Sequence, residues 1–148
     1  MPHIEFDLET SLAPDQVLAL LTDFSPQRPE RWPGLWSGAY EVYSIGETWA
    51  DVREGNKRPK VWAREHYDWS KPGIVRWEVT ESNFSNPGSF VEAHIMKREG
   101  GSLLHIVWDR TAKNLPNRIG MRLMKLSGGA PIKASLKAGL TKAEAAAQ

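Results

Sequence analysis

The sequence predicts an α+β fold in which one strand and two short helices precede six further strands and a long C-terminal helix. Three observations support this prediction. Residues 3–10 alternate between apolar and polar side chains, turn residues divide the middle of the chain into short strand-like segments, and the last third has apolar residues at helical spacing. A chain of 148 residues is the usual size of one domain, and we predict a single domain over 1–148.

The composition argues against several classes of protein. A net charge of +1 gives no general signal for nucleic-acid binding. The absence of cysteine excludes disulfides, thiolate metal sites and cysteine nucleophiles. The N-terminal residues lack the pattern of a signal peptide, and no apolar run is long enough for an integral membrane segment. We therefore predict a cytoplasmic protein without a cofactor and without a nucleic-acid partner.

The first elements are short. Residues 3–10 predict a half-buried strand, because their apolar side chains fall on one face and their carboxylates on the other. Pro14 suits the first turn of a helix, which apolar residues continue to about Asp23. Ser25 then predicts the start of a second helical turn that ends near Trp32.

Six strands follow, separated by turns that contain Gly, Pro or Asn. Their predicted ranges are 38–45, 48–54, 61–68, 74–82, 89–97 and 103–110. Consecutive strands with short turns pair as an antiparallel meander. Matching the apolar sets of the last three strands puts Trp77 opposite Ala93, and Ala93 opposite Ile106.

Two orientations remain open for the strands at 48–54 and 61–68. One alternating set is polar and aromatic and consists of Trp49, Asp51, Arg53, Trp62, Arg64 and His66. The other set is mostly small and apolar but includes Glu54 and Glu65. If the small set faces the core, tryptophans and arginines cover the outer face of the sheet. If the polar set faces inward, two arginines and a histidine lie next to Trp77, inside the fold.

The longest helical segment is predicted at Leu115–Ala146. It contains two apolar sets at helical spacing, namely Ile119, Leu123 and Leu126, and then Ile132, Leu136, Leu140 and Ala143. At about 100° per residue, the second set is rotated by roughly 100° from the first, so a straight helix could not turn both toward one core. Residues 128–131, Gly-Gly-Ala-Pro, weaken the helix between the sets. We expect a kink or a break there.

Several segments carry a family resemblance: 12–17, Leu20-Leu21, Asp23-Phe24, Trp32-Pro33, 50–54, 61–65, 67–69 and Gly88. With the order of the elements, they resemble the SRPBCC superfamily, which has the START-like and birch-pollen-allergen-like helix-grip fold, and within it the bacterial polyketide cyclase/dehydrase-like group. The resemblance covers essentially the whole chain. It implies a strongly curved sheet of about seven strands around a long C-terminal helix, with an apolar cavity between them. It implies no common catalytic motif, because this fold serves unrelated lipids, hormones and polyketides.

The implied cavity is the first candidate site. Such cavities are lined mostly by apolar and aromatic side chains, with a few polar groups that orient the ligand. The predicted ligand-binding residues are Trp62, Trp77, Val79, Val91, Ile106, Trp108, Ile119, Leu123 and Leu126. The alternative is that these large side chains fill the interior and leave no space.

A second candidate site requires the polar set to face inward. Arg53 and Arg64 could then hold a carboxylate or an enolate, and His66 could transfer a proton near neutral pH. These three residues are the candidate catalytic residues for an aldol-type cyclisation or a dehydration. The alternative is an exposed ladder of salt bridges. His94 and His105 are predicted to lie opposite each other, but they lack a third ligand, and we predict no metal site.

The leading functional hypothesis is binding or transport of a small hydrophobic or aromatic molecule, such as a lipid, a fatty acid or a polyketide, in the cavity. One alternative is an enzyme of the polyketide cyclase or dehydratase type that uses the same cavity. Another is a non-enzymatic regulatory or toxin–antitoxin partner protein. The expected state is a monomer or a homodimer. The basic C-terminal helix could contact an anionic membrane or RNA, but a solvated helix surface is the commoner explanation for such charge.

Overall fold

The computed structural model describes residues 3–147, which form one seven-stranded sheet and four helices. The strands are β1 (His3–Thr10), β2 (Glu41–Ile45), β3 (Trp49–Asn56), β4 (Val61–Asp68), β5 (Ile74–Ser82), β6 (Phe90–Arg98) and β7 (Gly101–Asp109). The helices are α1 (Pro14–Leu21), α2 (Arg28–Arg31), α3 (Leu115–Leu126) and α4 (Ala130–Ala146). The predicted α+β fold class is confirmed.

All neighbouring strands are antiparallel, in the order β1-β7-β6-β5-β4-β3-β2. The predicted meander of six strands is therefore present, and β1 joins it beside the last strand. β4 and β5 have the predicted bounds. The segment predicted as a strand from residue 38 instead begins with a single 3₁₀ turn at Ser37–Ala39, and β2 starts only at Glu41.

Strands β6 and β7 pair in the predicted register. Between β5 and β6 the predicted register is wrong by two residues, because Trp77 lies opposite Val91 and not opposite Ala93. The hydrogen bond from the amide of Val79 to the carbonyl oxygen of Ser89 continues this register toward the turn. A shift of two residues leaves each side chain on its predicted face, so the apolar face of the sheet is unaffected.

The hydrophobic core lies between the concave face of the sheet, α1 and α4. Its fully buried side chains include Val17, Val52, Val75, Val79, Ile106 and Leu140. Burying one such side chain contributes about 1.5–3 kcal/mol to folding. The C-terminal apolar set contributes to this core as predicted, with Leu140 buried and its three partners half-buried.

The C-terminal helical segment breaks where the sequence indicates. Gly128 and Gly129 have φ angles of 70° and 78°, in the left-handed region that favours glycine. Gly129 also lies close to β1. A Cβ atom at this position would be only 2.8 Å from Cγ2 of Ile4, so a larger residue would not fit without a shift. Pro131 then occupies the first turn of α4. The break lets α4 pack on the sheet while α3 takes a separate direction.

No helix within residues 3–147 combines the length and the apolar character that a membrane crossing requires.

Candidate functional site

A cavity of about 580 Å³ lies between the concave face of the sheet and helices α2, α3 and α4. Its aromatic lining consists of Trp32, Tyr67, Trp77, Phe84 and Trp108. The first half of β4 contributes the smaller side chains Val61 and Ala63 to the wall, and these leave the space open there. Pockets for small molecules typically have volumes of about 300–1,000 Å³. The cavity is therefore large enough for a ligand of that kind.

The predicted ligand-binding residues of the sheet are found at three places. Trp77, Val91 and Trp108 lie on the cavity wall. Val79 and Ile106 are each 1% exposed and are buried in the hydrophobic core. Trp62 belongs to the outer face of β4, where its ring lies 5.8 Å from the guanidinium carbon of Arg53.

The placement predicted for α3 is wrong. Ile119, Leu123 and Leu126 are 57%, 62% and 80% exposed and face away from the cavity. Met121 and Met124 line the cavity instead. The physical reason is that α3 has two apolar faces on different sides, and only the one with the methionines is turned toward the sheet.

The candidate catalytic residues do not lie beside the cavity. The small apolar set of β3 and β4 faces the core, so Arg53, Arg64 and His66 lie on the outer face of the sheet. Arg64 stacks over the ring of Tyr43 at 3.9 Å, and Nδ1 of His66 lies 2.9 Å from Oδ1 of Asp51. Arg53 pairs with Glu41 and His66 with Asp51, as in the ladder of salt bridges given above as the alternative, whereas Arg64 is held by its stacking on Tyr43. The proposed catalytic role of these three residues is corrected accordingly.

His94 and His105 lie opposite each other on the outer face, as predicted, with ring centroids 6.2 Å apart. The two ring nitrogens of His105 contact carboxylate oxygens of Asp7 at 2.7 Å and Glu5 at 2.8 Å. These hydrogen bonds, Asp7 first, raise the pKa of His105 above its usual value. No three His, Asp or Glu side chains within residues 3–147 form a group that could hold a metal ion.

The polar groups that do line the cavity were not identified from the sequence. The first cluster is centred on Arg28, which is 4% exposed. Its Nε donates to Oε2 of Glu54 at 2.7 Å, and its Nη1 donates to the carbonyl oxygens of Leu21 at 3.0 Å and Asp23 at 3.1 Å. Its Nη2 donates to the hydroxyl oxygen of Tyr67 at 3.3 Å, and that hydroxyl donates to Glu54. Most hydrogen-bond donors of Arg28 are therefore paired with other protein groups and are not free to bind a ligand.

The protonation states of this cluster follow from its burial and charges. Burial alone would lower the pKa of Arg28, but the charge of Glu54 raises it above its usual value, so the guanidinium stays charged. Burial raises the pKa of Tyr67 well above its usual value, so its hydroxyl stays protonated. The Tyr67 ring also stacks on Trp77 with centroids 5.3 Å apart. These contacts make the cluster a fixed part of the cavity wall.

The second polar cluster is the buried pair Glu65 and Arg110, with side chains 6% and 9% exposed. Nη2 of Arg110 donates to Oε2 of Glu65 at 3.0 Å. The guanidinium carbon lies 5.7 Å from the Phe84 ring centroid and 5.8 Å from that of Trp108. Burial raises the pKa of Glu65 to about 7, although the positive charge of Arg110 opposes the shift. A carboxyl group with such a pKa can gain or lose a proton near neutral pH.

Two hydrogen-bond donors of the cavity lining are buried without an acceptor among the described residues: Nη1 of Arg110 and Nε1 of Trp32. The ring of Trp32 lies against α4 at Gly139, where a Cβ atom would be only 2.2 Å from the ring. A buried donor without an acceptor costs about 1–3 kcal/mol. Both nitrogens are covered by neighbouring protein atoms, so a ligand oxygen would accept from either donor only after that side chain moves toward the cavity.

Some of these residues left a signal in the sequence. Glu54 and Glu65 interrupt a set of small apolar side chains, which indicates buried carboxylates if that set faces the core. Arg110 continues the inward alternation of Trp108 beyond the end of β7. No pattern in the sequence indicates that Arg28 is buried, because its position depends on how α1 and α2 meet.

The curved antiparallel sheet, the C-terminal helix against its concave face and the cavity between them, which opens to solvent, define the helix-grip class of proteins. Solved structures with this shape support the assignment. The Zhui aromatase/cyclase from Streptomyces sp. R1128 superposes with a TM-score of 0.80 and 14% identity, over 99% of this chain and 95% of that one. TTHA0849 from Thermus thermophilus superposes with a TM-score of 0.75 and 16% identity, over 99% and 100% of the two chains.

A START superfamily protein from Mycobacterium smegmatis is also similar, with a TM-score of 0.68 and 10% identity, over 89% of this chain and 94% of that one. No family model matches the sequence, and no curated protein matches it. The chain thus has the helix-grip fold of SRPBCC proteins that its sequence resembles. At these identities the likeness concerns the fold, since proteins of one fold differ widely in activity.

Proposed function

We propose that this protein binds a small, mainly apolar or aromatic molecule that carries an oxygen acceptor, in the cavity between the sheet and α3. The observation that supports this proposal is an aromatic-lined cavity of about 580 Å³ whose wall contains two buried donors without acceptors, on Arg110 and Trp32. A lipid, a fatty acid or a polyketide-like compound has this chemistry.

The binding energy would come from two sources. Rings and methyl groups of the ligand would be transferred from water to the cavity, at about 25 cal/mol per Å² of apolar surface. A carbonyl, hydroxyl or carboxylate oxygen would accept a hydrogen bond from Arg110, and a bond to a charged group contributes about 1.5–3 kcal/mol. The first source sets the affinity, and the second sets the orientation of the ligand.

The substitution Ala63→Phe tests whether the cavity is the binding site. Ala63 is 3% exposed and lies on the cavity wall, so a phenyl ring there would take up the space of the ligand. We expect the affinity for aromatic and fatty-acid probes to fall by about tenfold or more, which corresponds to at least about 1.4 kcal/mol. The measurement is quenching of tryptophan fluorescence, because Trp32, Trp77 and Trp108 line the cavity.

The matched control is Met96→Phe, which adds a ring at a position that is 43% exposed on β6. This variant should bind the probes as the wild type does. Equal affinities of the wild type and Ala63→Phe would place the binding site elsewhere. Failure of every probe to bind the wild type would favour the hypothesis of a non-enzymatic partner protein.

The role of Arg110 is tested with two probes that differ in one carbonyl group, 2-acetylnaphthalene and 2-ethylnaphthalene. We expect the wild type to prefer the ketone by about tenfold, because only the ketone can accept a hydrogen bond from the guanidinium. In Arg110→Met this preference should disappear while the affinity for 2-ethylnaphthalene changes little. Calorimetric titration measures both affinities.

Arg53→Met is the control for this comparison, because Arg53 lies on the outer face of the sheet and its loss should leave the preference intact. If Arg110→Met is unstable because Glu65 loses its partner, the double variant with Glu65→Gln removes the buried charge. A ketone preference that survives in both Arg110 variants would contradict the proposed orientation of the ligand.

A second candidate function is an enzyme of the cyclase or dehydratase type that uses the same cavity. The pair of Glu65 and Arg110 favours it, because a carboxyl group with a pKa of about 7 can transfer a proton while the guanidinium holds a developing enolate. The aromatase/cyclase with this fold lends support by analogy only. Conversion of a poly-carbonyl compound, as opposed to its recovery unchanged from the complex, distinguishes this function from binding alone.

A further inference from the structure

The outward face of α3 carries four large apolar side chains that no other part of the described chain covers. Leu115, Ile119, Leu123 and Leu126 are 66%, 57%, 62% and 80% exposed, and we call them the outer stripe. At about 100° per residue they fall within a sector of about 80° on the helix surface. Single exposed apolar residues are common in proteins, but a continuous stripe of four on one helix indicates an interaction surface.

The helix around the outer stripe is strongly basic. Arg118, Arg122 and Lys125 are exposed and occupy a sector of about 60° between the outer stripe and the cavity-lining side of the helix. The sequence between Asp109 and Glu144 contains no acidic residue and eight basic ones: Arg110, Lys113, Arg118, Arg122, Lys125, Lys133, Lys137 and Lys142. Within residues 3–147, no carboxylate forms an ion pair with the three basic residues of α3.

α3 is attached to the rest of the molecule by few contacts. Met121 is its one buried side chain, and Ser127, which caps the end of the helix, is followed by two glycines with left-handed φ angles, Gly128 and Gly129. Asn117, Gly120 and Met124 form the rest of the α3 surface that lines the cavity. One short helix therefore forms a wall of the cavity and presents an unpartnered apolar stripe to solvent.

From these features we propose that α3 docks the protein on an anionic phospholipid membrane. The outer stripe would enter the boundary between headgroups and acyl chains, and Arg118, Arg122 and Lys125 would contact the lipid phosphates. A second copy of the chain is a poorer partner for this surface, because two facing α3 helices would bring their basic residues together without any carboxylate between them. Docking places the cavity wall that α3 forms directly at the membrane surface.

Sedimentation with vesicles of phosphatidylcholine, with and without phosphatidylglycerol, tests this inference without any ligand. The wild type should sediment with the anionic vesicles and remain in solution with the neutral ones. In Leu123→Glu/Leu126→Glu the bound fraction should fall to background. In Arg118→Gln/Arg122→Gln the partition coefficient should fall by about fivefold for each charge removed, and added salt should reduce that of the wild type.

The matched control is Ile45→Glu/Met96→Glu, which makes the same kind of change at two exposed apolar positions outside α3. It lowers the net charge as Leu123→Glu/Leu126→Glu does, so unchanged vesicle binding shows that the location of the stripe matters. All four substituted apolar positions are exposed, and thermal unfolding checks that each variant is folded.

Three results would overturn the inference. One is equal binding to neutral and anionic vesicles, or to neither. Another is a homodimer in sedimentation velocity that Leu123→Glu/Leu126→Glu converts to a monomer, because a second copy would then cover the outer stripe. The third is binding to RNA homopolymers that depends on Leu123 and Leu126 more strongly than vesicle binding does. None of these results depends on whether the cavity holds a ligand, so docking and ligand binding are tested separately.

Discussion

Replacing Arg28 by methionine is expected to lower the free energy of unfolding by about 3–5 kcal/mol, the range for breaking a buried ion pair. Arg28 and Glu54 are joined at 2.7 Å with side chains 5% and 13% exposed. Methionine fills similar space but leaves the Glu54 carboxylate without its counter-charge. It also leaves the carbonyl oxygens of Leu21 and Asp23 without their donor. Urea unfolding followed by tryptophan fluorescence measures the change.

Arg31→Met is the control for Arg28, because both arginines belong to α2 and both contact Asp23. The Arg31 side chain is 49% exposed, and a surface ion pair contributes at most about 1 kcal/mol. The double variant Arg28→Met/Glu54→Gln should recover part of the lost stability, because no unpaired charge remains. A loss below about 1 kcal/mol in Arg28→Met would mean that water reaches the cluster.

The stability of the protein is expected to fall as the pH rises from about 5 to about 7, with Glu65 as a main cause. The pKa of Glu65 is raised from 4.5 to about 7 in the folded state, so in this range the folded protein binds more protons than the unfolded chain. The free energy of unfolding therefore decreases with pH, by up to about 3 kcal/mol for a shift of this size. Below this pH range, Glu65 makes its full contribution to the free energy of unfolding.

The difference between the wild type and Glu65→Gln isolates this effect. His3 and His105, whose pKa values are raised by neighbouring carboxylates, also lose protons as the pH rises, but they do so in both proteins. Urea unfolding at several pH values should give a flatter profile for Glu65→Gln, whereas Glu81→Gln, at an exposed position of β5, should follow the wild type. Parallel profiles for Glu65→Gln and the wild type would show that Glu65 ionises normally.

Much of the fold could be predicted from the sequence, because the alternation of apolar side chains and the turn residues are signals that depend only on neighbouring positions. The six-strand meander and the break before Ala130 both belong to this class. The orientation of β3 and β4 could not be chosen this way. A cavity needs small side chains on its wall, so Ala63 and Val61 face inward while Trp62 lies outside. If the two faces of these strands are ranked by the size of their apolar side chains, the face with Trp62 is wrongly expected to point toward the core.

The site was harder to predict for a related reason. On α3 the branched apolar side chains, such as Leu123 and Leu126, face solvent, and the cavity side has Met121 and Met124. Helical periodicity places residues on common faces, but it does not say which face meets the sheet when both are apolar. The polar clusters required tertiary information, since Arg28 meets Glu54 and Arg110 meets Glu65 across long stretches of the chain.

The pairing of β1 with β7 determines when the native topology can be completed. During synthesis, β2 to β6 can form hairpins as they emerge, but β1 must wait for the strand at the far end of the sequence. Such non-local contacts slow folding, because the entropy of closing the intervening loop is lost before the contact forms. The hydrogen bond from Thr10 to Glu144 of α4 adds a second link between the two ends of the chain. Until both links form, the nascent chain exposes one edge of β7 and the apolar side of β1 to chaperones and to aggregation.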